Sequence, residues 1–215
     1  GLPGLDSRPE HIKAVAEGIG SDHRINPHFL HSGIGYGGSC FPKDVDALEK
    51  LMQEHGVDAG ILESARRINR GQRTRFVATV KQAMPKLRGK KIGVLGLAFK
   101  ANTDDMREAP ALDIIPPLLR AGAKVCAYDP VAMKNSAALL PAGVRFCDSV
   151  WDAVTGADAV LLLTEWNDFK ELNFATLRRR MRGRLLFDGR NLYDPAAARR
   201  AGFVYHGIGR NGRTE

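Results

Sequence analysis

From Pro9 to Ile19 the apolar residues Ile12, Val15, Ala16 and Ile19 recur at steps of three and four, which predicts a short amphipathic helix; the first eight residues fit no such pattern. A second helical period runs from Pro42 through VDALEKLMQEH to Gly56, with proline at its start and glycine just past its end. Ile61, Leu62, Ala65, Ile68, Phe76, Val77, Val80 and Met84 then mark one face of a stretch that reaches Pro85, a helix of about seven turns in which Gly71 is the weak point. Such a helix can serve equally as an internal linker or as a contact between subunits. Beyond Lys91 the period changes. Short apolar runs at Ile92–Leu97, Lys124–Tyr128, Val144–Cys147, Ala159–Leu163, Leu185–Phe187 and Phe203–Tyr205 alternate with helical segments. This is the pattern of successive βαβ units, so the chain reads as α/β: a doubly wound, mostly parallel, Rossmann-like sheet preceded by a helical region.

The chain has 215 residues, 44% hydrophobic and 26% charged, which excludes disorder, collagen and coiled coil. No apolar stretch approaches the roughly 18 residues of a membrane span, and GLPGLDSRPEHI lacks the basic and apolar regions of a secretory signal. Cys40, Cys126 and Cys147 show no metal-ligand or disulfide spacing, so they are expected to be reduced thiols in a cytoplasmic protein, and no metal site is expected. The net charge of +8 favours an anionic partner without identifying it.

Two segments carry chemistry. The first strand of the sheet runs into GVLGLAFK, where Gly93 and Gly96 supply only part of a dinucleotide fingerprint. Phe99 and Lys100 follow at its carboxyl end, and NTDDMRE brings Arg107 just ahead of Pro110 and the next helix. Cations outside the carboxyl ends of parallel strands suit a phosphorylated ligand, although the same residues also fit a solvated charged loop. The second segment is GIGYGGSCFPKD. It places Cys40 at a helix amino terminus beside Lys43, where the helix dipole and the cation favour the thiolate, with Asp44 in reach for proton transfer. The glycines leave backbone amides open to an extended ligand. Cys126 and Cys147 lie within predicted strands and read as packing residues.

GIGYGGSCFPKD, together with LGLAFKANTDDMREAP, YDP, TEWNDFKEL and FDGRNLYDP, resembles the nucleotide-sugar dehydrogenases of the UDP-glucose/GDP-mannose dehydrogenase family over residues 10 to 210. The resemblance implies oxidation of the C6 hydroxyl of UDP-glucose to a carboxylate, giving UDP-glucuronate, with two NAD reduced and one water consumed. It implies that Cys40 is the nucleophile, passing through a thiohemiacetal and a thioester, and that Asp44 assists hydrolysis. It implies cofactor contacts for Lys43 and Arg107. Substrate contacts are implied for His31, Ser32, Gly33, Ile34, Gly35, Tyr36 and Gly37 along the loop, for Phe99, Lys100 and Arg190, and for Arg24, which would reach across a subunit boundary. It divides the chain into part of a central helical domain (1–58), a connecting and dimerisation helix (59–88) and a UDP-sugar-binding domain (89–215), and it implies a homodimer.

The departures are as informative. The family's amino-terminal NAD domain, with its own fingerprint and its glutamate and threonine, has no counterpart here, nor do the lysine and asparagine of the helix that precedes this segment in the family, so this chain is expected to bind UDP-sugar weakly and to be inactive alone. His31 stands where relatives often have lysine. GDP-mannose 6-dehydrogenase shares the cysteine motif and is the nearest alternative; a non-catalytic nucleotide-sugar-binding dimerisation module is a second. The run Arg178–Arg184 could suggest nucleic acid, but without interleaved aromatic residues it reads as a solvated helix end, and no nucleic-acid or membrane partner is expected. Trp166 should lie near the ligand edge of the sheet.

Overall fold

The change of period at Lys91 is also the change of architecture. A computed structural model describes residues 9–210, with side chains from residue 13 onward, so the unpatterned first eight residues and the Ile12 side chain lie outside the described residues. The helical region consists of α1 (Pro9–Gly20), a 3-10 turn (Pro27–Phe29), α2 (Phe41–Glu54) and the 24-residue α3 (Gly60–Ala83), which continues through Gly71. Six strands follow: β1 (Lys91–Leu95), β2 (Lys124–Tyr128), β3 (Val144–Phe146), β4 (Ala159–Leu162), β5 (Leu185–Asp188) and β6 (Val204–Gly207). Their order is β3-β2-β1-β4-β5-β6 and every neighbouring pair is parallel. Between them run α4 (Pro110–Arg120), α5 (Met133–Leu139), α6 (Val150–Val154), α7 (Asn167–Lys170), α8 (Phe174–Arg180) and α9 (Pro195–Arg200). The predicted strands are all present, each within two residues of its expected ends; Cys147 falls just past β3 rather than inside it.

Alternation along the strands sends side chains to two cores. Ile92, Val94, Val125, Ala127, Leu161 and Phe187 join Phe76, Val80, Ile114, Ile115 and Leu118 on the face covered by α3 and α4. Leu95, Cys126, Val160, Leu162 and Leu186 join Ala153, Val154, Phe169 and Leu177 on the other. Both faces are covered, so the strands read as nearly continuous apolar runs. The helical region behaves differently. Phe76, Val77 and Val80 bury the carboxyl half of α3, yet Ile61 is 87% exposed and Ile68 50%, and Val15, Ile19, Leu48 and Leu51 are also exposed. The predicted helices form, but among the described residues these apolar side chains of α1, α2 and the amino half of α3 face no partner.

His206 on β6 stacks on Phe187 at 4.7 Å between ring centroids, and its buried Nε2 has no hydrogen-bond partner among the described residues. Burial, and secondarily the charge of Arg199, pull its pKa below the ordinary value. A histidine with a depressed native pKa takes up protons more readily when unfolded, so the stability it contributes is complete above ~6.5 and declines as pH falls from there toward the native pKa. The melting temperature should therefore fall between pH 7 and pH 5.5, and a His206→Phe variant should lose part of that slope in parallel thermal scans; an unchanged slope would assign the acid sensitivity elsewhere.

Candidate functional site

In an order 3-2-1-4-5-6 the chain reverses direction between β1 and β4, and their carboxyl ends open the crevice where doubly wound sheets take ligands. The turn after β1 is not free to hold a dinucleotide phosphate. Asp129, fully buried at the end of β2, accepts from the amides of Leu97 (2.7 Å) and Ala98 (3.2 Å) with one oxygen, and from those of Val131 (3.0 Å) and Ala132 (2.9 Å) with the other. The Trp166 indole donates to it as well, at 3.2 Å. The amides that a pyrophosphate would use already serve a carboxylate. Gly96, at φ +89°, lies where a Cβ would overlap the Thr164 side chain, so this glycine serves packing. Trp166 is at the ligand edge as expected, but buried.

The ligand edge is instead crossed by the cysteine loop. The Ile34 amide donates to the Gly189 carbonyl after β5 (2.9 Å), and the Gly38 amide donates to the Arg107 carbonyl before α4 (2.9 Å). Glycines make the approach feasible. A Cβ on Gly37 would overlap the Glu108 carbonyl, and one on Gly38, itself at φ +93°, would sit 2.7 Å from the Phe99 ring. Two residues of α3 that the sequence reading passed over hold the loop from beneath. Asn69 accepts from the Tyr36 amide (2.8 Å) and donates to the Tyr36 carbonyl (3.0 Å), and the buried Arg73 donates to the same carbonyl (2.9 Å). Asn69 and Arg73, four apart, interrupt the apolar stripe of α3 between Leu62 and Ala65 on one side and Phe76, Val77 and Val80 on the other, which is the trace they leave in the sequence.

A cleft of about 750 Å³ opens beside this loop, lined by His31, Ser32, Gly33, Gly35, Tyr36 and Arg190 together with Glu165, Lys170 and Asn191. Its size lies in the range of nucleotide and cofactor sites. Three of these are cations or potential cations, against the carboxylate of Glu165. Arg190 is a keystone as well as a lining residue: it donates to the carbonyls of Leu163 (2.8 Å), Phe99 (2.8 Å) and Gly35 (3.3 Å) and lies 3.1 Å from Glu165. Burial pulls its pKa below the ordinary guanidinium value, and Glu165 partly offsets this. Asn191, also unforeseen, donates to Ser32 Oγ (2.8 Å) and pairs with the Ile208 backbone, tying the loop to the end of β6. Ile34, expected along the ligand, has a fully buried side chain in the main core and its amide is engaged, so only its carbonyl is available. Gly37 packs on Glu108, and neither Phe99 nor Lys100 lines the cleft; the Lys100 ammonium sits 5.4 Å from the Phe99 ring centre.

Cys40 is exposed and caps the amino end of α2, with Sγ 3.6 Å from Ser39 Oγ. Lys43 and Asp44 are exposed in the first turn and pair with each other at 3.2 Å. Arg107 is gripped by Asp105 through Nε and Nη2 at 3.0 and 2.8 Å. That hydrogen bonding and the Asp105 charge raise the Arg107 pKa, and Arg107 in turn lowers Asp105; the Arg107 backbone meets the cysteine loop at the Gly38 amide, two residues before Cys40. Cys126 and Cys147 are both buried, and burial pushes Cys147 up to about 11, so Cys147 stays a thiol near neutral pH. Arg24 is exposed, pairs with Asp22 and does not line the cleft of its own chain. In the basic run, Arg178 donates to the Gly183 carbonyl, Arg180 lies over the Trp151 ring and Arg182 pairs with Asp158.

A parallel sheet with this strand order, its ligand edge spanned by a glycine-rich loop ending in an exposed cysteine at a helix cap, defines a nucleotide-type α/β domain joined to a segment bearing a thiol. Residues 10–71 match the central domain of the UDP-glucose/GDP-mannose dehydrogenase family, and residues 93–195 match its UDP binding domain. The chain belongs to the UDP-glucose/GDP-mannose dehydrogenase family. It is 45% identical to a UDP-glucose 6-dehydrogenase of Pseudomonas aeruginosa over 97% of this chain, and 42% identical to the UDP-glucose 6-dehydrogenase TuaD of Bacillus subtilis over 93%. It spans about half the length of these relatives, 46% and 43% respectively. Among solved structures, a UDP-glucose dehydrogenase from Pyrobaculum islandicum matches 91% of this chain and 43% of its own, at 34% identity and a TM-score of 0.79.

Proposed function

We propose that this chain is the sugar-nucleotide-binding and nucleophile-bearing part of a UDP-glucose 6-dehydrogenase. The observation that carries this reading is the course of the loop from His31 to Cys40. It leaves a basic cleft at the switch point of the sheet and ends at an exposed thiol, so a ligand anchored by its phosphates in the cleft can extend its sugar toward Cys40. The names of the relatives supply the substrate.

In this reading His31, Lys170 and Arg190 draw the diphosphate, and the backbone of residues 32–36 follows the nucleotide. Cys40, as thiolate, adds to the C6 aldehyde to give a thiohemiacetal; loss of hydride from C6 leaves a thioester. Asp44 takes a proton from water as its oxygen attacks the thioester carbonyl, releasing the C6 carboxylate and the thiol. NAD supplies the acceptor for both hydrides. Within the described residues it fits no dinucleotide site, because Asp129 occupies the amides of the turn after β1; Lys43 and Arg107 are left as contacts from outside. By itself the chain should therefore bind UDP-glucose without turning it over. The exposed apolar stripes of α1, α2 and α3 support an interface with a second copy, and Arg24 would reach that copy's cleft. No helix among the described residues is long and apolar enough to cross a membrane.

Calorimetric titration with UDP-glucose, GDP-mannose and NAD, each alone, tests the reading. Heat from UDP-glucose only is the expected result. Heat from GDP-mannose instead would keep the chemistry and change the substrate, and silence from both sugar nucleotides would overturn the assignment of the cleft.

A further inference from the structure

We infer that Arg73 is a positioning residue for the thiol: one buried nitrogen staples the cysteine loop to the segment that carries Arg107, and so sets the distance between Cys40 and that guanidinium. The inference deepens the proposed function, on which it rests for its chemical purpose, but its geometry is independent of any ligand.

Arg73 lies in the middle of α3 with its side chain 5% exposed. Its Nη2 donates to two carbonyls from different parts of the chain, Tyr36 of the cysteine loop and Glu108 of the turn before α4, each at 2.9 Å. Its Nη1 pairs with Asp113 on α4 and lies 3.7 Å from the Glu108 carboxylate. A lysine could not reproduce this planar fork. The segment it holds is strained: Glu108 has φ +52°, a left-handed conformation that non-glycine residues seldom adopt. Such a residue persists only where its surroundings over-determine it. Here the Arg73 bond and Gly37, packed against the same carbonyl, supply that constraint. The adjacent Arg107 carbonyl receives the Gly38 amide, two residues before Cys40. The loop and the Arg107 turn are therefore registered through one guanidinium, with Asn69 fixing Tyr36 from the preceding turn of the helix. Released from Arg73, Glu108 can relax toward negative φ, which re-aims Arg107 and loosens the loop ahead of the thiol.

The test uses this chain without ligand, at low ionic strength where charge effects at an exposed thiol are least screened. Cys40 is alkylated in parallel with iodoacetate, which is anionic, and iodoacetamide, which is neutral; buried Cys126 and Cys147 stay unreactive while the fold holds. The ratio of the two rates reports the cationic field at the sulfur. We expect Arg73→Met and Arg73→Lys each to lower that ratio at least three-fold, Arg107→Gln to lower it by a similar factor, and Arg73→Met combined with Arg107→Gln to lower it no further than either alone. Should Arg73→Met fail to fold, Arg73→Lys, which retains the buried charge, carries the comparison. An unchanged ratio in a folded Arg73 variant, or additive losses in the double variant, would overturn the inference. Because no sugar nucleotide is present, failure here would leave the assignment of the cleft standing.

Discussion

Replacing Cys40 by alanine should leave the affinity of this chain for UDP-glucose within about two-fold of wild type, while in a full-length enzyme containing it turnover should fall on the order of 10⁴–10⁶-fold. The two halves of the expectation have different causes. Cys40 is exposed, its sulfur has only a long contact to Ser39, and the loop before it is held by Gly38, Tyr36 and Asn69 rather than by the thiol. Removing Sγ therefore unseats nothing. In the proposed chemistry, by contrast, the thiol forms the bond that carries the substrate between its two oxidations, and no neighbouring group can substitute. Titration calorimetry on the chain, steady-state kinetics on the full-length enzyme and one melting curve separate the possibilities. If Cys40→Ala unfolds the chain, the cysteine is a packing residue; if it spares turnover, the nucleophile is elsewhere.

Asp129→Ala should be the most destabilising of the substitutions considered, costing roughly 3–5 kcal/mol. Five donors converge on this buried carboxylate, four backbone amides and the Trp166 indole. Alanine would leave all five without their acceptor, and water entering the vacated space could serve only some of them. For a chain of this length the loss corresponds to a fall in melting temperature of roughly 6–20 °C. Asp129→Asn should also destabilise, because a carboxamide presents one oxygen and turns its NH₂ toward donors. A loss below about 1 kcal/mol in urea melts would mean that the turn after β1 is held by packing alone. The same bonds leave the Leu97 and Ala98 amides of the turn after β1 engaged and closed to a dinucleotide phosphate.

Arg190 and Asn69 illustrate how much of the site could be read from the chain. The FDGRN motif marks Arg190 as a substrate contact by resemblance to the family. The structure brings it to the cleft but commits most of its guanidinium to the carbonyls of Leu163, Phe99 and Gly35. Asn69 carries no such mark, because a polar residue on a helix reads as solvated until the loop it serves, 33 residues earlier, is seen folded against it. Ile34 shows the converse: in a glycine-rich run it reads as part of the ligand path, and only the tertiary fold turns its side chain into the core.

By itself the sequence determined the elements and their class. Apolar periodicity is a local property, set by 3.6-residue and two-residue repeats, so the long helix, the six strands and the parallel architecture were all legible, as was the place of Cys40 at a proline-led helix start. What only the tertiary structure decided were the non-local contacts. Asp129 fills the turn that resembled half a fingerprint, Gly37 and Gly38 are glycines because Glu108 and Phe99 press on them, and Arg73 joins two loops distant in the chain. Each depends on which backbone amides and carbonyls are left over once the sheet and helices have formed, and those orphan groups can be matched to side chains only after the chain has brought them together.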